Sequence, residues 1–415
     1  MSFPLAKYAA QYWIIHAHSG SKATSQSALV FALMMKLLTE KNTAFVNWVQ
    51  LYNIDHMFGW CVSETSIGIA GPLYYASLAG FTEASHALLK RGAVVNEKKG
   101  RYGNALQAAS HRGHEATVKL LIKKGANVNA QGGIYGNALQ AASYGGHEAT
   151  VKLLIKKRAN VNAQGGIFGN ALQAASYGGH EAIAMLLMEK GAKVNAKGGE
   201  YGNALQAASY EGHEAIAKLL MEKGADVNAQ GGNHGNALHA ASCIGHENVA
   251  KLLMEKGADV NAEGGCYGNA LQAASYNGHE AIAKLLIEKG ADVNAQGGRY
   301  GNALHAASDI GHENVAKLLM EKGADVNAEG GYYGNALQAA SSGGHESIAK
   351  LLIKKGADMN AKGGKYRNAL QAASNGGHEA IAKLLIEKQA DGSKQGAGGD
   401  HYCDKIRHLL YKLCV

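Results

Sequence analysis

Nine His-Glu pairs, from His114-Glu115 to His378-Glu379, are the densest chemistry-bearing feature of the chain. An imidazole beside a carboxylate could hold a metal ion or move a proton. The interval between pairs argues against both. Each pair stands 33 residues from the next, and equivalent positions on packed helices lie ~8–10 Å apart, whereas one zinc needs its nitrogens at about 2 Å. No His-Glu-x-x-His string occurs. Identical units also offer no asymmetric pocket for a Ser-His-Asp or Cys-His set. The expectation is therefore no catalytic residue, no metal and no cofactor, with the His packing and the Glu favoured by the dipole at a helix start. The five cysteines, Cys61, Cys243, Cys266, Cys403 and Cys414, are odd in number and lack ligand spacing, so they read as free thiols in a reducing compartment.

The elements that carry these pairs are set by the same period. Asn104 recurs every 33 residues to Asn368, in nine copies of Asn-Ala-Leu-x-Ala-Ala-Ser, each followed by Gly-His-Glu and a Leu-Leu pair. A divergent tenth copy precedes them at 71–103, beginning Gly71-Pro72-Leu73. Asn104 with Gln107 three residues later predicts a capping box and a first helix through Leu106, Ala108 and Ala109. Gly113 stops it. In the second helix, Ile282, Leu285 and Leu286 share one face while Lys284 and Glu288 face water. The following Ala-Asp-Val-Asn-Ala-Gln-Gly-Gly is turn chemistry. One such unit cannot bury its own faces, so stacking must supply the core. Arg158 and Gln389 replace the glycine that closes the second helix elsewhere. A non-glycine at such a left-handed position costs about 1 kcal/mol, and Gln389 is expected at the end of the array.

These residues resemble the ankyrin family, whose unit reads Thr-Pro-Leu-His-x-Ala-Ala, then Gly-His, then a leucine-rich helix ending Gly-Ala-Asp-Val-Asn-Ala. Here Asn-Ala replaces Thr-Pro, and only His239 and His305 keep the family's histidine. The resemblance implies an all-α ankyrin-repeat solenoid, helix pairs with projecting hairpin fingers, preceded by a small helical domain. The expected domains are a helical segment at 1–70, ten units at 71–390, and a flexible link with a short amphipathic tail at 391–415.

Residues 1–70 differ in kind, holding Trp13, Trp48 and Trp60 and helical apolar stripes such as Val30, Leu33, Met34, Leu37 and Leu38. Their aromatic strings, residues 3–13 and 44–49, resemble the segment between the nucleotide-binding module and the ankyrins of fungal NACHT-type signalling proteins. That resemblance implies a fungal source and kinship with innate-immune-like receptors. A phosphate-cradling Gly-x4-Gly-Lys-Ser/Thr loop is not found, so nucleotide hydrolysis by this chain is not expected. The chain is either a receptor's C-terminal portion or a free-standing product.

The net charge of +8 is unevenly spread, with +10 over 71–199 and −8 over 200–331. Such blocks can steer a partner or orient self-association. Lysines interleaved with glutamates, with no nucleic-acid motif, make direct nucleic-acid binding unexpected. The longest apolar run, residues 28–35, is too short for the ~20 residues of a spanning helix. A protein partner is expected, without a membrane, in the cytoplasm or nucleus. Its contacts are expected where the copies vary. The fingertip column reads Arg101, Ile134, Ile167, Glu200, Asn233, Cys266, Arg299, Tyr332 and Lys365, and the first-helix ends supply Tyr144, Tyr177, Tyr210 and Tyr276. Tyrosine-rich tips on a rigid scaffold are the chemistry of a recognition surface. The resulting reading is a non-enzymatic signalling or regulatory adaptor, with a transcriptional co-regulator acting through protein contacts as the alternative.

Overall fold

The computed structural model describes residues 69–394, together with Ala32 and residues 35–38 ahead of them. Met35 and Leu38 are buried in a helical segment there. The other expectations for residues 1–68, and the tail beyond 394, lie outside the described residues. Two compact units are formed, one ending at Ala208 and the other beginning at Ser209.

Each unit is built from helix pairs. The earlier unit holds α1 (Pro72–Leu78), α2 (Thr82–Lys90), α3 (Ala105–His111), α4 (Glu115–Lys123), α5 (Ala138–Tyr144), α6 (Glu148–Lys156), α7 (Ala171–Tyr177) and α8 (Glu181–Glu189), and α9 (Ala204–Glu211) begins in it. The later unit continues the pattern through α10 (Glu214–Glu222), α11 (Ala237–Ile244), α12 (Glu247–Glu255), α13 (Ala270–Tyr276) and α14 (Glu280–Glu288). It ends with α15 (Ala303–Ile310), α16 (Glu313–Glu321), α17 (Ala336–Gly343), α18 (Glu346–Lys354), α19 (Ala369–Asn375) and α20 (Glu379–Lys394). All-α architecture follows, since the only β features among the described residues are seven isolated bridges at finger bases, as at Gly132 and Gly136.

Local sequence explains the starts and stops. Asn104 Oδ1 accepts from the Gln107 amide N–H at 2.9 Å, and the same cap recurs at each later Asn to Asn368. The reciprocal half of the box forms at Asn170-Gln173 and Asn269-Gln272. At the expected pair, Gln107 instead reaches forward: its Nε2 donates to the carbonyls of Ala130, Gly132 and Gly136 at 3.1–3.2 Å. The two roles are compatible, because Gln173 receives the Asn170 N–H on Oε1 while its Nε2 donates to Ala196 and Gly202. The glutamine that replaces the family's histidine thus anchors the adjacent finger. His305 does the same work, with ring nitrogens 3.1 Å from the Tyr300 oxygen and 3.0 Å from the Ala328 oxygen.

Small residues on the first helices, such as Ala108 and Ala109, are fully buried where neighbouring helices meet. On the second helices Ile282, Ala283 and Leu286 are the buried face, whereas Leu285 is only half-buried. Lys284 and Glu288 are exposed as the pattern requires. Arg158 does sit at φ 65°, the left-handed region, where equivalent copies place glycine. At Gln389 the chain takes another course: without a glycine the helix continues to Lys394, past residue 390. Gln389 Nε2 then donates to Asn360 Oδ1 at 3.1 Å. Elsewhere the equivalent asparagine spends its own amide on the next repeat's turn, as Asn327 does on the Gly356 carbonyl.

Candidate functional site

The histidine of each His-Glu pair is a staple. Ring Nε2 of His114, His147, His180, His246, His279, His312, His345 and His378 lies 2.8–3.2 Å from the carbonyl oxygen 36 residues earlier, at the end of the preceding first helix. A carbonyl can only accept, so Nε2 carries the proton. The glutamates point outward, and Glu115, Glu148 and Glu346 pair with the lysine four residues on. Among the described residues no group of acidic, Cys or His side chains could hold a metal ion. Cys243 is buried and Cys266 exposed, both free.

The fingers are stitched tip to tip. Ile134 N–H donates to the Arg101 oxygen at 3.0 Å, Ile167 to Ile134 at 2.9 Å and Glu200 to Ile167 at 2.8 Å. In the later unit Tyr332 donates to Arg299 and Lys365 to Tyr332, each at 3.1 Å. So close is the approach that a Cβ on Gly133, itself at φ 66°, would fall 2.1 Å from the Tyr102 carbonyl carbon. The finger backbones from Arg101 to Glu200, and those from Arg299 to Lys365, are therefore fixed relative to one another.

Beside the tips, rings from finger and first-helix end interleave. In the earlier unit Tyr135 lies 5.0 Å from Tyr144, Tyr144 5.0 Å from Phe168, Phe168 5.0 Å from Tyr177, and Tyr177 4.7 Å from Tyr201. The later unit repeats the zigzag with Tyr210–His234 at 4.7 Å, then Tyr267–Tyr276 and Tyr276–Tyr300 at 4.7 Å each. Tyr144, Tyr177, Tyr210 and Tyr276 are thus half-buried members of the aromatic rows in their units. Burial also acts on their neighbours: it pushes Tyr267 up to about 12 and Cys243 up to about 11.

At the tips themselves Arg101, Ile134 and Ile167 are half-buried, and Glu200, Asn233, Cys266, Arg299, Tyr332 and Lys365 are exposed. Three of these converge. The Arg299 guanidinium carbon lies 5.7 Å from the Tyr332 ring centroid, and Lys365 Nζ lies 5.2 Å from it on behalf of the next finger. The rings of Tyr300 and Tyr366 extend the cluster, 5.8 Å from Arg299 and 4.8 Å from Lys365. Both spacings are within cation–π range. The hydroxyls of Tyr366 and Tyr332 hold the Lys365 ammonium above the usual lysine range, and Lys365 holds the Tyr366 hydroxyl below the usual tyrosine range. Behind them Asp309 is pushed up by burial, offset by the Tyr333 hydroxyl that donates to it. Tyr332 remains 41 % exposed, a large ring held between two cations at the solvent edge.

The sequence columns identified these tip residues but not their convergence. The signal was present in the run Arg299, Tyr332, Lys365 at one-repeat intervals, which places cation, ring and cation side by side. Missed altogether was Arg367, at φ 68° in a finger-base position that holds glycine in the other copies.

The profile for ankyrin repeats in three copies matches overlapping stretches from 138–231 to 331–396, and that for many copies matches 106–155. The chain belongs to the ankyrin-repeat family. Ankyrin repeats are a protein-interaction scaffold, typically without catalysis. The azaphilone pigments biosynthesis cluster protein L of Monascus ruber is 39 % identical over 128 residues, a stretch covering 28 % of this chain and 26 % of that protein. The chain thus matches about a quarter of that relative's length. The human ASB11 ankyrin repeat domain is 28 % identical, with 52 % of this chain and 96 % of that domain aligned at a TM-score of 0.47. No helix among the described residues is long and apolar enough to cross a membrane.

Proposed function

We propose that this ankyrin chain is the recognition arm of a fungal signalling or regulatory adaptor, free-standing or part of a NACHT-type receptor, and that it binds its protein partner on the finger edge. The observation that carries this reading is the exposed Arg299–Tyr332–Lys365 cluster on a hydrogen-bonded finger backbone. An exposed tyrosine held by two cations costs little entropy to immobilise, and Tyr and Arg are the side chains that dominate binding energy at interfaces. In the later unit Asn233 and Cys266 are the further tip residues, with the half-buried Tyr210 and Tyr276 beside the tips; the earlier unit carries a finger edge of its own, Arg101, Ile134, Ile167 and Glu200, with the half-buried Tyr144 and Tyr177 beside it. The likeness to a Monascus ruber protein supports the fungal setting.

The test is quantitative affinity capture with the full chain. Tyr332→Ala combined with Lys365→Glu should lower recovery of the bound protein at least tenfold, the scale of one hot-spot residue. Lys284→Glu, on an exposed second-helix face, should not. Equal recovery with all three proteins would reject the finger edge.

A further inference from the structure

Three consecutive fingers of the later unit, with bridges at Gly297–Gly301, Gly330–Gly334 and Gly363–Arg367, gather exposed cations. Arg299 and Lys365 stand at the tips on either side of Tyr332, Lys362 precedes the last finger and Arg367 closes it. Among the described residues none of these side chains is in an ion pair. Arg367 sits at φ 68° where the other copies place glycine, so its cation is held at the edge against backbone preference. Few carboxylates are near. Glu329 is exposed at the start of the middle finger, and Asp309, half-buried behind the tips, accepts from the Tyr333 hydroxyl. The preceding fingers of this unit carry Asn233 and Cys266 at the tip with no lysine or arginine beside them, and the stretch 200–331 carries −8. The edge from Arg299 to Arg367 is therefore a basic patch in acidic surroundings.

We infer that the partner protein presents a short acidic segment to this patch, one carboxylate going to Arg299 and a second to Lys365 across the edge of Tyr332. The inference rests on the finger-edge reading and names the chemistry that edge recognises. An unpaired guanidinium fork matches the two oxygens of a carboxylate, and an ammonium acts on the next one as a point charge. Arg299 comes from the finger before Tyr332 and Lys365 from the finger after it, so the ring stands between the two cations and keeps them from closing on one phosphate. Separate single charges fit that arrangement. A nucleic-acid strand fits it poorly, because the cations 5.7 and 5.2 Å from the Tyr332 centroid occupy the faces on which a base would stack. In an extended segment alternate side chains share one face roughly 7 Å apart, which lets acidic residues two apart serve both cations. Exposed pairs of this kind add selectivity and encounter rate more than affinity.

Fluorescence polarisation with the full chain tests this. The probes are a labelled Gly-Glu-Ser-Glu-Ser-Glu-Gly peptide, its glutamine counterpart, a phosphoserine peptide of comparable charge and a single-stranded thymidine oligomer. At about 50 mM salt the glutamate peptide should bind about fivefold or more tighter than the glutamine one, the scale of one or two exposed ion pairs. At about 500 mM, where the Debye length shrinks toward a few ångströms, the difference should vanish. Arg299→Gln with Lys365→Gln should abolish the preference. Lys284→Gln with Lys289→Gln, which removes the same charge from exposed second-helix positions, should keep it. Circular dichroism melts matching the wild type exclude misfolding as the cause of a loss. No preference for glutamate, an equal loss in both double variants, or tighter binding of the phosphoserine peptide or the oligomer overturns the inference. The finger-edge reading fails by a different result, partner capture unchanged by Tyr332→Ala with Lys365→Glu. It stands without the acidic segment if that variant lowers capture while Arg299→Gln with Lys365→Gln does not.

Discussion

Nε2 of His147 lies 2.9 Å from the main-chain oxygen of His111, thirty-six residues earlier. That bond ties the start of one second helix to the end of the first helix of the repeat before, and it is made by eight of the Gly-His histidines. Its partner is a carbonyl that the helix end would otherwise leave unsatisfied.

Truncating a staple should therefore destabilise without touching the surface. His147→Ala removes the bond and leaves a half-buried carbonyl unpaired, at a cost of about 1–3 kcal/mol. Urea melts should show a lower midpoint, with finger binding at low denaturant unchanged. A melt identical to wild type would make the staple ornamental.

Acid should loosen the repeats through buried imidazoles. Burial lowers His111 to about 3 and His239 to about 4. A folded pKa below the unfolded 6.5 means that the stability of the neutral ring is complete above pH 6.5 and is lost as pH falls toward 4 and then 3. His111→Tyr keeps the ring that Tyr144 and Tyr177 place in that column, and should flatten the decline between pH 6.5 and 4. His239→Gln should flatten it further. Neither nitrogen of His239 finds a partner among the described residues, whereas Gln272 at the equivalent position donates to the Ala295 oxygen at 3.0 Å. Thermal melts at several pH values read both effects, and unchanged slopes would contradict them.

Strain at the two left-handed arginines should be recoverable. Arg158→Gly and Arg367→Gly each remove a side chain at positive φ and should stabilise by about 1 kcal/mol. Differential scanning calorimetry should show a raised melting temperature for both, and a lowered one would mean that the arginine side chains supply more than their backbones cost.

The aromatic row of the earlier unit should behave as core. Phe168 is fully buried between Tyr144 and Tyr177, and Phe168→Ala should cost about 3–5 kcal/mol. Hydrogen exchange should quicken in the adjoining repeats first, because stability in stacked repeats is shared with neighbours.

Much of this was legible as period. The 33-residue interval gives the helix pairs, the Asn caps and the turn at Gly113 directly, because each depends on a few residues close in sequence. Legibility ended where contacts cross between repeats. Gln107 looked like half of a local box, yet its amide serves carbonyls 23 to 29 residues ahead. The tyrosines at the first-helix ends looked free, since alternation along one helix cannot show that the next finger lays a ring against them. The same blindness hid the convergence of Arg299, Tyr332 and Lys365, which stand one repeat apart in sequence and within 6 Å in space.

That convergence is also where the account is most exposed to test. A photo-crosslinking p-benzoylphenylalanine in place of Tyr332 should trap the partner protein covalently, and the same residue in place of Lys284 on the second-helix face should trap none. Crosslinking from position 284 with none from 332 would contradict recognition on the finger edge.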